Sequence, residues 1–71
     1  MAQEKVILDL EIEEIENAVR HLKRSNNEIM EFLNASEDKD KDFVDAFQEN
    51  LEAIKIKEKK LAILLQKRNS Q

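Results

Sequence analysis

The chain has 71 residues, no Cys, no Gly, no Pro and a net charge of −4. That length allows one small domain, which no disulfide or thiolate zinc site can staple and in which nothing obviously breaks a helix. Charged residues make up 39% and three Phe are the only aromatics; this is the composition of long helices and coiled coils, and its acidity argues against nucleic acid, whose affinity comes from a basic stripe.

In the first half, Leu8, Ile12, Ile15, Val19, Leu22, Asn26, Ile29 and Leu33 are spaced alternately by four and three. That spacing predicts one heptad-patterned helix from about residue 3 to about residue 34, with Ile12, Val19, Asn26 and Leu33 in one row of the seam. Residues 35–42 carry no apolar periodicity, so the turn is expected at about 35–41. Asn34 suits a left-handed helix end, and Ser36, Asp38 or Asp40 can cap a second helix.

The second half repeats the pattern through Val44, Phe47, Leu51, Ile54, Glu58, Leu61, Leu65 and Arg68. A second helix is expected over about 41–69. Two helices of similar length joined by a short connection pack antiparallel. The whole chain, 1–71, thus reads as one all-α domain, an antiparallel two-helix coiled-coil hairpin. Facing positions sum to about 76–77, which sets Asn26 beside Asn50 and brings Phe32 to Phe43 near the turn.

A single seam gives back little against the entropy of ordering a chain this long. A partner layer is therefore expected. Val6, Ile7 and Leu10 on the first helix, and Ile56 and Ile63 on the second, lie off the seam toward the open end of the hairpin. They are the candidate partner-binding residues. A flanking set, Ala18, Phe32, Phe43 and Leu64, widens the apolar face. The same residues would also allow self-association, two hairpins dimerising into a four-helix bundle.

Asn26 is a polar residue at a seam position, a type that fixes register and pairing. With Ser25 and Asn50 it is the candidate latch. Glu58 is also placed on the seam, where it either reaches a cation or is wet. His21 has no companion ligands at helical spacing and reads as solvated. No nucleophile–base set, phosphate loop or calcium loop is present, and a two-helix rod forms no enclosed pocket. The chain is expected to be no enzyme and to need no metal or cofactor. Its longest apolar run, Val6-Ile7-Leu8, cannot span a bilayer. The N-terminus lacks a secretory pattern. A soluble, intracellular protein is expected, cytoplasmic and with the nucleus also open to it.

Glu14-Ile15-Glu16-Asn17 followed by His21-Leu22-Lys23-Arg24-Ser25-Asn26 resembles the first helix of the fungal translation-machinery-associated protein family, also described as the ATPase-dedicated chaperone of proteasome assembly. Glu49-Asn50 matches the Glu-Asn pair of that family's second helix. The similarity covers about residues 11–33 and 43–65. It implies a helper that binds the N-terminal coiled coil of a proteasomal ATPase subunit, promotes ATPase pairing during assembly of the regulatory-particle base, and then leaves. It also implies association with ribosomal fractions. The acidic connection of the family is longer than the one here.

Overall fold

The computed structural model describes residues 2–37 and 40–70. It is a two-helix hairpin, 56 × 14 × 14 Å. Helix α1 spans Ala2–Ala35 and α2 spans Lys41–Asn69, packed side by side along their length. The expected all-helical antiparallel hairpin is the fold observed.

The reversal is made without glycine. Asp40 caps α2: its carboxylate accepts from the Asp42 amide at 2.9 Å, and its carbonyl accepts from the Val44 amide at 3.1 Å. That cap satisfies donors that the first helical turn cannot pair internally. Of the other capping candidates, Asp38 lies outside the described residues. The left-handed ending expected at Asn34 does not occur. Asn34 is still inside α1, and no described residue has a positive φ. At the far end, the Ser70 hydroxyl and amide both donate to the Gln66 carbonyl, at 2.8 and 3.0 Å.

The core of α1 follows the expected heptad. Ile12, Val19, Asn26 and Leu33 are buried, and Leu8, Ile15, Leu22 and Ile29 are half-buried. In α2 only one row of the expected seam holds. Phe47, Ile54, Leu61 and Arg68 face α1, but the second row is shifted by one residue. It consists of Asn50, Lys57 and Leu64 in place of Leu51 and Glu58, while near the turn Phe43 and Val44 are both exposed, at 39% and 36%. Leu64 is 6% exposed, whereas Leu51 is 43% exposed. Glu58 is outside the seam and exposed, and Leu65 is half-buried.

The physical reason lies in two residues. Asn50 is drawn inward by hydrogen bonds to α1. Lys57 can lay its aliphatic stem on the seam and carry its ammonium to water. Rotating α2 to accept both turns Leu51 outward. The resulting core is thin, with Ile12, Val19, Leu33, Ile54 and Leu64 as its buried apolar residues. No described large side chain is completely enclosed, as expected of two layers without a third.

Candidate protein-docking surfaces

The middle of the hairpin carries a cluster of polar contacts. The Asn50 side-chain amide donates to Asn26 Oδ1 at 2.9 Å and approaches Ser25 Oγ at 3.4 Å. The Asn26 amide donates in turn to the Phe47 carbonyl at 3.3 Å. Asn26 is 6% exposed, and no buried side-chain polar atom among the described residues lacks a partner. Ser25, Asn26 and Asn50 are thus brought together. Near the turn, the Phe32 and Phe43 rings pack at a centroid distance of 4.7 Å, tilted by 45°.

Glu58 sits apart from this cluster. It faces Lys23 Nζ at 3.8 Å on the surface. Toward the open end, the Arg68 guanidinium contacts the Asp9 carboxylate at 3.4 Å. Both pairs are solvent-exposed, so they mark the register more than they stabilise it.

Val6, Ile7, Leu10, Ile56 and Ile63 are all between 55% and 59% exposed. They do not form one continuous patch. Val6, Ile7 and Leu10 lie on the outward side of α1. Ile56 and Ile63, one heptad apart, form a stripe on the outer side of α2. The Asn26–Asn50 register puts Ile63 near the level of Leu10, and Ile56 roughly two turns closer to the reversal.

A second apolar surface lies beside the latch. An open groove of about 350 Å³ runs between the helices, lined by Lys23, Asn26, Asn27, Met30, Phe47, Leu51 and Ile54. Spacing alone gives Met30 no role and places Leu51 in the core. Asn50 holds the signal that finds them. Placing it in the seam opposite Asn26 brings its heptad mates Lys57 and Leu64 inward and leaves Leu51 outward.

Residues 4–69 match the family model described as the TMA17 helical domain. The chain belongs to this family. No curated protein and no solved structure matched the chain. The TMA17 family is that of the ATPase-dedicated chaperone, a chaperone-type helical domain and not a known enzyme family. The open-end residues and the groove both lie inside the matched segment. Among the described residues no group of His, Cys, Asp and Glu could hold a metal ion, and no helix is long and apolar enough to cross a membrane.

Proposed function

We propose that the chain is a protein-binding assembly chaperone that engages the N-terminal coiled coil of a proteasomal ATPase subunit. In this reading it promotes ATPase pairing while the base of the regulatory particle is assembled. The observation that carries it is the TMA17 helical-domain match over residues 4–69, on a hairpin that leaves large apolar side chains exposed along its length. A client helix supplies the missing layer, as amphipathic helices do in grooves. Val6, Ile7, Leu10, Ile56 and Ile63 are the proposed contacts at the open end. Ser25, Asn26 and Asn50 hold the register that presents them, and Glu58 with Lys23 trims the adjoining surface.

The test is a pull-down of proteasomal ATPase N-terminal segments by the 71-residue chain, with an unrelated coiled coil as control. Selective capture of an ATPase segment, lost in the Leu10→Lys and Ile56→Lys variants at unchanged helix content, supports the reading. No enrichment over the control removes it. A chain that assembles only with itself, and falls to monomer in those variants, is a homo-oligomeric scaffold instead.

A further inference from the structure

The exposed apolar side chains of the open end are set in two opposed fields of charge. Residues 4–16 hold six carboxylates and one cation, Lys5. Residues 55–68 hold six cations and one carboxylate, Glu58. The hairpin lays these stretches side by side, so its open half is acidic along α1 and basic along α2.

One broad side of the hairpin displays this division. Lys23 meets Glu58, and Met30 and Leu51 line one groove, on the other side. Half-buried Ala18 and Ser25 flank the seam of α1 away from Lys23, and half-buried Ala53 flanks that of α2 away from Glu58. From Ala18, steps of four and three lead through Glu14, Glu11, Ile7 and Glu4. From Ala53, steps of three and four lead through Ile56, Lys60, Ile63 and Lys67. On this side the charges of the α1 strip are therefore all negative and those of the α2 strip all positive. The Asn26–Asn50 register sets Glu14 within a turn of the level of Lys60, and Glu11 within a turn of that of Lys67. These four groups are not spent on one another, because the ion pairs among the described residues are Lys23–Glu58 and Asp9–Arg68. Toward the turn the same side carries Glu28, Asp42 and Glu49, so the division of charge is confined to the open half.

We propose that a second copy of this chain covers this side, the two hairpins lying with their open ends together about a two-fold axis parallel to their length. That axis places α1 of each copy over α2 of the other. Acid then meets base twice, while like-charged helices fall on the diagonal. Glu14 and Glu11 of one copy meet Lys60 and Lys67 of the other. Ile56 comes over Ala18, whose small side chain leaves room for it, and Ile63 falls between the two levels of paired charge. Turning one copy end over end would set α1 on α1 and α2 on α2, like charge on like, so the charges also select the orientation. A single foreign helix can satisfy one of the two fields; a second copy satisfies both. The inference goes beyond the proposed chaperone role and does not rest on it. It names what covers Ile7, Ile56 and Ile63 while no client does.

The experiment is light scattering on the 71-residue chain over about a hundredfold range of concentration. A mass rising to that of two chains is expected, with pairing about tenfold weaker at high salt than at low, because exposed charges are screened. Lys60→Glu with Lys67→Glu should leave a monomer of unchanged circular dichroism, and so should Glu11→Lys with Glu14→Lys. Mixing these two variants should restore the two-chain mass, since each offers the charge that the other lacks. A chain carrying all four substitutions should pair with itself again, which separates lost pairing from lost folding. Monomer at every concentration overturns the inference. So does a dimer that survives both charge reversals, a pair of variants that stay apart on mixing, or a dimer that Leu51→Lys dissociates and Ile56→Lys does not. A monomer that still captures an ATPase segment ends the self-pairing and leaves the client reading standing. A two-chain species that captures no segment does the reverse.

Discussion

Asn26 and Asn50 meet across the hairpin with a side-chain hydrogen bond of 2.9 Å, and Asn26 is almost fully buried. We propose that this contact sets how far α2 slides along α1 and how it is rotated, and with it the outward turn of Leu51.

The first expectation concerns that pair. Asn50→Ala leaves the Asn26 carbonyl without its donor and should destabilise the hairpin by about 1–3 kcal/mol, read by urea unfolding. Asn26→Leu with Asn50→Leu should recover or exceed the original stability while losing a unique pairing. Size-exclusion chromatography with light scattering would then show mixed species. A double variant that remains a single species would deny the pair its role in specifying register.

The shifted seam is checked by neighbouring leucines. Leu64→Ala should cost about 2–4 kcal/mol, within the range for buried leucines. Leu51→Ala should cost less, about 1 kcal/mol, since Leu51 is 43% exposed where Leu64 is 6%. Urea midpoints measured in a stabilising osmolyte would keep both variants within range. Equal losses would restore the unshifted seam.

The cap at the reversal gives a third expectation. Asp40→Ala removes the acceptor for the Asp42 amide and should cost about 1 kcal/mol, seen as a lower urea midpoint. Asp40→Asn should recover most of it, because the amide oxygen can accept the same bond. If Ala and Asn behave alike, the cap contributes nothing.

The two surface ion pairs should matter little. Glu58→Gln and Asp9→Asn are each expected to change stability by less than about 1 kcal/mol. Thermal melts at low and high salt would check this. A larger loss at either site would mean that the exposed pair holds the register itself.

Much of the architecture is legible from spacing alone. The heptad of α1 predicts its buried row, Ile12 to Leu33, because that helix places apolar residues at nearly every seam position. Phe32 against Phe43 and Asn26 beside Asn50 come from simple register arithmetic. The second row of α2 is misplaced by spacing at Leu51 and Glu58, because the row that turns inward contains an asparagine and a lysine, Asn50 and Lys57. Hydropathy cannot see that Asn50 gains partners when buried or that Lys57 can snorkel. The left-handed ending at Asn34 fails because α1 runs on to Ala35 and the reversal uses an aspartate cap. The groove is hidden for the same reason as the row: its wall, Leu51, reads as core.

The most direct measurement is a chemical-shift map of the isotope-labelled chain titrated with the N-terminal coiled-coil segment of a proteasomal ATPase. Saturable shifts concentrated at the exposed apolar residues, among them Leu10, Met30, Leu51, Ile56 and Ile63, with the Asn26 and Asn50 side-chain amides still protected, are the result expected. No shifts at saturating segment, or shifts confined to the acidic outer faces, would contradict the account of this hairpin as a docking surface.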